Sequence, residues 1–221
     1  MPVKYACFIS YRGYEDNELA ETLVSGLYQS LRNELDHLVG PNRVYRDSKG
    51  GMAPGALLPA SLSRDLCESA CLVAVYGPDY FSRDSTWCAQ EFKAMLDLES
   101  ERLKLLPASE RANGLLIIIV FRGRDSLPTE FSRNRLVCFF DKYALFQPEI
   151  PKHPDLYPHV MQIASYIAAR FRALNSLLPD PCGKCPTFQL PTEAEALTWL
   201  DEIEQRNGTT IQEEPADEFP R

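Results

Sequence analysis

The sequence predicts an α/β fold, namely a flavodoxin-like, doubly wound sheet of five parallel strands followed by a C-terminal helical and acidic extension. Five short apolar runs alternate along the chain with segments of helical periodicity, which is typical of βαβ units. Residues 115–121 are apolar at every position, as expected of a strand that is covered on both faces. Apolar runs and helical segments alternate along residues 1–174, and the sequence shows no internal repeat.

Each predicted strand is short and runs into a polar turn or loop. The strands are residues 4–9, 43–46, 71–76, 115–121 and 136–140. In a doubly wound sheet, ligands bind outside the carboxyl ends of the strands. We therefore expect the segments 10–13, 47–59 and 77–82 to meet around one cleft, together with the first turns of the helix that follows.

Four helices are predicted between and after the strands. Residues 16–35 carry Leu at every fourth position from Leu19 to Leu35, so one face of that helix is apolar. A short helix covers residues 60–69. The next begins after a side-chain cap supplied by Asp84 or Ser85 and continues to about residue 103. The last helix of the sheet domain ends near residue 174.

The composition changes at about residue 174. Residues 1–174 are predicted to form the α/β domain, and residues 175–221 an extension. The net charge is -8, and the extension alone holds 10 acidic and 3 basic residues. Residues 192–206 predict a helix that docks on the domain or on a partner. The acidic residues after it are predicted to be disordered.

Composition argues against several classes of protein. Neither part of the chain has a basic stripe to follow a phosphate backbone, so we expect no direct nucleic-acid contact. No apolar run approaches the roughly 20 residues of a membrane span, and the first residues lack a signal-peptide pattern. The 7 cysteines are an odd number, and several lie in apolar segments. We therefore expect a cytoplasmic chain without membrane contact, reduced and without a disulfide framework.

The pair Cys182 and Cys185 is the sharpest feature of the extension. A structural zinc site needs four ligands, and a second CxxC motif is absent from the sequence. His153 and His159 would complete a site only by a coincidence of folding, so no metal site is predicted. A thioredoxin-like site is not predicted either, because the motif follows no strand.

The helix after residue 84 carries an unusual stripe. Trp87, Glu91 and Met95 recur every four residues and therefore share one face. Such a stripe normally faces inward, and burying a lone carboxylate is costly unless it is paired or lies in a cleft. Two interpretations stay open from these residues alone. Glu91 either reaches water at the edge of the stripe or lines a pocket beside an aromatic wall.

Four segments, in this order, resemble the motifs of the Toll/interleukin-1 receptor (TIR) domain family. Residues 8–12 (FISYR) resemble its first-strand box, and residues 45–47 (YRD) with 54–55 (PG) resemble its second. Residues 87–91 (WCAQE) resemble the segment in which Trp-Cys precedes a Glu, and 139–140 (FF) its aromatic last strand. The resemblance covers roughly residues 3–174. The glycine-rich loop after Asp47 and the long loop at 122–135 depart from the family pattern.

The resemblance, with the bacterial NAD+-consuming branch of the family in particular, implies an NAD+-cleaving site. It assigns catalysis to Glu91, which stands at the position of the family's catalytic Glu. It also implies nucleotide-binding roles for residues on the first strand, the second-strand loop and the helix of Glu91. These are Ser10, Tyr11, Arg12, Asp47, Leu57, Leu58, Trp87 and Cys88.

Other roles stay open for several of these residues when they are considered one by one. Trp87 suits plain core packing as well as a pocket wall, because aromatic side chains serve both. Arg12 suits a surface ion pair, and Asp47 suits an Asx bond that caps its own loop. Cys88 is interpreted as a packed neighbour and not as a nucleophile, because no His lies in a partnering motif.

The function that the resemblance implies is that of an NAD+ nucleosidase. It would break the nicotinamide–ribose bond and give nicotinamide with ADP-ribose or with a cyclic ADP-ribose isomer. NAD+ would be the substrate, and no cofactor is expected. A role in prokaryotic antiviral defence signalling, self-association through TIR–TIR contacts, and a separate sensor or product receptor are implied as well. The alternative is a non-enzymatic adaptor that acts by TIR–TIR assembly.

Overall fold

The sheet is parallel throughout and has five strands in the computed structural model of the protein. The structure describes residues 3–12, 18–46, 60–141, 155–177 and 180–210. The strands are β1 (Tyr5–Tyr11), β2 (Val44–Arg46), β3 (Ser69–Tyr76), β4 (Leu116–Val120) and β5 (Leu136–Phe139), and their spatial order is β2-β1-β3-β4-β5. This is the strand order of flavodoxin-like doubly wound folds. The predicted fold class is confirmed.

The central strands are the most deeply buried part of the chain. Every residue of β3 and of β4 is buried, in keeping with their apolar runs. Strand β3 lies between β1 and β4, with Ser10 opposite Ala74 and Val75 opposite Ile119. β1 and β3 therefore end side by side at the carboxyl edge of the sheet.

Six α-helices complete the described part of the chain, and those that flank the sheet form two layers. They are α1 (Glu18–Val39), α2 (Ala60–Cys67), α3 (Trp87–Leu105), α4 (Thr129–Asn134), α5 (Tyr157–Asn175) and α6 (Glu193–Thr210). Helices α1 and α5 pack together and against the sheet, and α2 and α3 do the same. Side chains alternate between the two faces of a strand. Accordingly, Ser10 contacts the turn that leads to α3, whereas Tyr11 contacts Arg46 beside α1.

Several predicted boundaries move in the structure. The capping prediction for α3 is wrong: the N-cap is Thr86, and its side chain makes no capping hydrogen bond. Helix α2 ends at Cys67, two residues early, because β3 already begins at Ser69, which pairs with Tyr5. The long loop after β4 contains α4, which starts after Pro128 and whose first N–H, on Thr129, donates to Asn207 Oδ1 at 3.1 Å. That partner is 78 residues away and gives no local signal.

Buried charges fix α3 against its neighbours. Glu99 accepts the N–H groups of Leu115 and Leu116, the latter at 3.2 Å, and it pairs with Arg135. Arg102 is 1% exposed and donates to the carbonyl oxygens of Cys67 and Ser69, the latter at 2.7 Å. Charged groups are tolerated in an interior only when such bonds satisfy them. The two residues therefore hold α3 to the start of β4 and to the junction of α2 with β3.

The extension docks on the domain through α6. Trp199 is 8% exposed and packs against aromatic rings of the domain, at centroid distances of 5.8 Å from Phe81 and 5.9 Å from Phe92. Phe131 of α4 completes this aromatic cluster, 6.2 Å from Trp199. The sequence left open whether the predicted helix docks on the domain or on a partner, and the structure places it on the domain.

Ion pairs surround the docked helix. Arg83 donates to Asp201 at 2.6 Å and to Glu204 at 2.9 Å, and Arg206 pairs with Glu130 at 2.8 Å. All three pairs are largely solvent-exposed, so each contributes little by itself. The ion pairs lie at the surface, whereas Trp199 and the aromatic rings it contacts are mostly buried. The predicted acidic tail beyond residue 210 lies outside the described residues, and the division of the chain at residue 174 stays a prediction.

One expectation from the cysteines is wrong. Cys67, the last residue of α2, forms a disulfide with Cys185 of the extension, at a Cα–Cα distance of 5.4 Å. The two residues are 118 positions apart, so sequence spacing could not reveal the pair. The remaining described cysteines are free thiols. Among the described helices, none is both long and apolar enough to cross a membrane.

Replacing Trp199 should destabilise the fold. We expect Trp199→Ala to lower the free energy of unfolding by about 3 kcal/mol, because it removes the ring that closes the aromatic cluster. Thr198→Ala is the matched control, since Thr198 is exposed on the same helix, and it should stay within about 0.5 kcal/mol of the wild type. Urea unfolding followed by circular dichroism gives both values. Equal stabilities for the two variants would contradict the docking of α6.

Candidate active site

The candidate site lies where β1 and β3 end side by side. From β1 the chain leads through α1 outward to β2, whereas from β3 it leads through α3 outward to β4. Neighbouring strands whose connections run to opposite sides mark the topological switch point of a doubly wound sheet, where such folds bind ligands. The described residues at this point come from the end of β1, the turn after β3 and the first turns of α3.

Ser10 joins these three segments. It is 1% exposed, and its Oγ lies 2.7 Å from the hydroxyl of Tyr80 in the turn after β3. The hydroxyl of Ser10 also hydrogen-bonds the thiol of Cys88 in the first turn of α3. A buried hydroxyl that serves two partners is costly to remove, because both partners then lose a bond without gaining water.

Glu91 lies one helical turn after Cys88 and is 8% exposed. Its charge acts on the hydroxyl of Tyr80 and on the thiol of Cys88. Burial is the main cause that raises the pKa of each group, and the negative charge of Glu91 raises it further. Both neighbours therefore stay protonated at neutral pH. The sequence left open whether Glu91 reaches water or lines a cleft, and the structure places it inside, at the switch point.

Arg12 brings a positive charge to the same edge. Its Nη1 donates to the carbonyl oxygen of Asp79 at 3.0 Å, which ties the end of β1 to the turn after β3. Its charge lowers the pKa of Cys88, in opposition to burial and Glu91. The guanidinium and the carboxylate thus act on the same thiol with opposite effects on its pKa. Such a pair can meet a ligand that carries both an anionic and a cationic group.

The other predicted site residues are placed differently. Trp87 is half-buried and opens α3, four residues before Glu91 on the same face. Tyr11 stands on the opposite face of β1 from Ser10, where its hydroxyl accepts a hydrogen bond from Arg46 Nη2 at 3.1 Å. The structure thus does not bring Tyr11 to Glu91. Asp47, Leu57 and Leu58 lie outside the described residues.

Two residues of the site were not singled out from the sequence. Tyr80 and Asp79 lie in a Pro-containing turn, and both enter the site through contacts with β1 about 70 residues away. Gln90, the residue before Glu91 on α3, is also buried, at 5% exposed, and its Oε1 has no hydrogen-bond partner among the described residues. No periodicity or motif in the sequence marks Tyr80 or Asp79, whereas Gln90 lies within the WCAQE segment without being singled out.

The thiol of Cys88 is inert in this setting. A nucleophilic cysteine needs a lowered pKa, whereas burial raises the pKa of Cys88. The described residues also contain no group of three or more His, Cys, Asp or Glu side chains suited to a metal ion. The chemistry available at this edge is therefore that of a carboxylate and a guanidinium within a frame of neutral hydroxyl and thiol groups.

A separate surface depression lies away from this edge. It has a volume of about 400 Å³ and is lined by Lys93 of α3 and by residues of α6, namely Ala194, Glu195, Thr198, Trp199 and Glu202. It contains none of the predicted site residues. We therefore do not assign it to the candidate active site.

Comparison with known proteins adds little to this geometry. No protein-family model matches the chain, and no curated protein matches it. Among solved structures, the chain is similar to the TIR domains in the structure of the activated Roq1 resistosome directly recognizing the pathogen effector XopQ. The match covers 75% of this chain and 84% of that chain, with 21% sequence identity and a TM-score of 0.38. A likeness this distant carries no argument about substrate or assembly.

The bond between Ser10 and Tyr80 can be tested with a double-mutant cycle. Ser10→Ala should lower the free energy of unfolding by about 1–3 kcal/mol, because the buried hydroxyl of Tyr80 loses its partner. Adding Tyr80→Phe should cost less than Tyr80→Phe costs alone, since the partner is already gone. Urea unfolding of the four proteins gives the coupling energy. Strictly additive losses would contradict the bond.

The raised pKa of Cys88 predicts a loss of stability at alkaline pH. Below the ordinary thiol pKa of 9.0, both the folded and the unfolded state hold the proton. The contribution of the buried thiol to the free energy of unfolding is then fully present and does not change with pH. Above that pKa the unfolded state releases the proton and the folded state keeps it. The free energy of unfolding should then fall by up to about 1.4 kcal/mol per pH unit.

The difference between wild type and Cys88→Ala isolates this effect. It should be constant below about pH 8.5 and should shrink steadily above about pH 9 in urea unfolding experiments. Cys138→Ala is the comparison, because burial raises the pKa of Cys138 to about 11 and its difference should level off there. A difference for Cys88→Ala that does not change with pH would show that the thiol is not buried as described.

Proposed function

We propose that the protein cleaves the nicotinamide–ribose bond of NAD+ and releases nicotinamide with ADP-ribose or with a cyclic ADP-ribose isomer. The observation that carries this proposal is the position of Glu91, a buried carboxylate at the switch point of the sheet. The TIR-like motifs at residues 8–12 and 87–91 support it, because they supply the groups that meet there.

The chemistry requires few protein groups. Nicotinamide in NAD+ is already a cationic leaving group, so no general acid is needed to expel it. The transition state resembles an oxocarbenium ion, as in glycoside hydrolysis. A carboxylate held beside the ribose stabilises this developing positive charge and binds the ribose hydroxyls. Glu91 has this role in our proposal.

The surroundings of Glu91 suit that role. The neighbouring hydroxyl of Tyr80 and thiol of Cys88 stay neutral, because burial raises the pKa of both. Neither group therefore adds a second negative charge, and the low local dielectric strengthens the attraction between the carboxylate and a cationic ribose. Ser10 acts as a positioning residue, because its hydroxyl holds both neighbours in place.

Arg12 is the proposed pyrophosphate contact. A guanidinium binds phosphate oxygens through two parallel charge-assisted hydrogen bonds. In the structure Arg12 Nη1 donates to the carbonyl oxygen of Asp79, which directs the side chain to the edge where β1 and β3 end. Trp87 is the proposed wall of the pocket, one turn before Glu91. Roles for Tyr11, Asp47, Leu57 and Leu58 stay predictions from the resemblance.

Water or the substrate's own adenine completes the reaction. Attack by water on the ribose carbon gives ADP-ribose, and attack by an adenine nitrogen gives a cyclic isomer. TIR–TIR self-association, a separate sensor or product receptor, and a role in prokaryotic antiviral defence belong to the proposal through the resemblance. Nicotinamide release is therefore measured at low and at high protein concentration, because self-association would complete a site that is shared between copies.

Glu91→Gln should abolish NAD+ cleavage without unfolding the protein. The amide keeps the shape of the side chain but lacks the charge, so we expect the rate of nicotinamide release to fall by at least about 100-fold. Chromatography with mass spectrometry measures the products. Asp97→Asn is the matched control, because Asp97 is an exposed carboxylate on the same helix, paired with Lys93 at 2.9 Å. It should keep the wild-type rate.

The outcomes separate the possibilities. Wild-type rates in the Glu91→Gln protein would show that the site assignment is wrong. Release of nicotinamide with a dehydrated ADP-ribose mass would identify a cyclase, and release with ADP-ribose a hydrolase. If the wild type releases no nicotinamide at any concentration, the enzymatic proposal fails and the non-enzymatic adaptor becomes the leading interpretation.

A further inference from the structure

Three cysteines meet where the extension crosses the end of α2. Cys67 is bonded to Cys185, and the thiol of Cys182 lies 3.8 Å from the carbonyl oxygen of Cys67. All three are buried, with exposures of 1%, 1% and 3% for Cys67, Cys185 and Cys182. A buried free thiol is thus next to a buried disulfide. The predicted site residues take no part in this cluster.

The backbone allows Cys185 a second partner. The N–H of Cys185 donates to the carbonyl oxygen of Cys182 at 3.0 Å, so residues 182–185 form a tight turn. The two ends of such a turn are less than about 7 Å apart between Cα atoms. That separation falls largely within the range of about 4.4–6.8 Å over which disulfides form. Cys185 can therefore pair with Cys67, as observed, or with Cys182 without a large movement of the chain.

The buried guanidinium of Arg102 contacts the cysteine cluster. Arg102 donates to the carbonyl oxygen of Cys67 and also hydrogen-bonds the thiol of Cys182. Burial raises the pKa of Cys182, and the guanidinium opposes that rise. A thiolate formed on Cys182 or on Cys67 would therefore have a positive charge close by.

We propose that Cys182, Cys185 and Cys67 form an internal thiol–disulfide exchange site that transfers the disulfide of Cys185 between two partners. Cys182 loses its proton, and its Sγ attacks the Sγ of Cys185. The bond between Cys185 and Cys67 breaks, and Cys67 leaves as a thiolate that takes up the proton. One disulfide and one thiol are present before and after, so no oxidant or reductant is consumed. The proposal does not depend on the NAD+ chemistry.

The two pairings have different consequences for the extension. The bond between Cys67 and Cys185 spans 118 residues and ties the extension covalently to α2. The bond between Cys182 and Cys185 would close only a local turn, so only non-covalent contacts would hold the extension to the domain. The exchange therefore adds or removes a covalent cross-link between the extension and α2 without changing the oxidation state of the protein.

Tryptic mapping distinguishes the two bonds, because Lys184 separates Cys182 from Cys185. Digestion places Cys67 in the peptide 65–83, Cys182 in 173–184 and Cys185 in 185–206. The oxidised full-length protein is freed of glutathione, incubated, and quenched with acid before alkylation and digestion. We expect the link between 173–184 and 185–206 to appear as the link between 65–83 and 185–206 declines. The rate should not depend on protein concentration, since the exchange is internal.

Variants fix the assignment. Cys182→Ser should hold only the bond between Cys67 and Cys185, and Cys67→Ser in a glutathione buffer should hold only the bond between Cys182 and Cys185. Cys71→Ala is the control, because Cys71 shares the peptide 65–83 but belongs to β3, and it should leave the exchange unchanged.

A simple structural disulfide gives the opposite result. In that case the wild type would keep the bond between Cys67 and Cys185 throughout, and the second link would be absent at every time. That time course needs no variant, so misfolding of Cys67→Ser cannot obscure it. A rate that rises in proportion to protein concentration would likewise overturn the proposal, because it would mean exchange between molecules.

Discussion

Helix α3 buries charged side chains on its inner face, and the arrangement of the molecule depends on how each is satisfied. Glu99 and Arg102 are 4% and 1% exposed, and burying an ion costs several kcal/mol unless hydrogen bonds replace water. Glu99 accepts two backbone N–H groups at the start of β4 and pairs with Arg135. Arg102 donates to two carbonyl oxygens where α2 meets β3. These bonds fix α3 along and around its axis, which sets the position of every other side chain on it.

Glu91 is positioned by that frame as well. The bonds of Glu99 hold α3 to the start of β4, which is a structural role. Around Glu91 stand a phenol and a thiol, Tyr80 and Cys88, and burial keeps both neutral. Two buried carboxylates therefore lie two turns apart on one helix. One is used to hold the helix, and the other is presented at the edge of the sheet where doubly wound folds bind ligands.

The sequence could predict those parts of the structure that depend on residues close together in the chain. Strand β4 follows from a continuous apolar run and α1 from a repeat of leucines, and both are confirmed apart from their ends. Ser10, Cys88 and Glu91 were predicted through motif resemblance, and the structure brings them together, although their roles stay predictions. The disulfide of Cys67 and the cap of α4 depend on contacts across 118 and 78 positions, which no local pattern encodes. The start of α3 was also misplaced: two good capping residues precede it, but the N-cap is Thr86, whose side chain makes no capping bond.

Tyr80 joins the candidate site to the extension. Its hydroxyl bonds Ser10, while its ring packs edge-on against Phe92, at a centroid distance of 6.3 Å, and Phe92 in turn contacts Trp199 of α6. A row of contacts transmits nothing unless some element along it has two arrangements. The aromatic cluster has a single arrangement, because moving Trp199 away would expose buried rings to water. The alternative partners of Cys185 would provide the second arrangement, since they change how firmly the extension is tied without changing what it packs against. Residues 180–210 are therefore part of the structural support of α3, even though the composition of the chain places them outside the domain.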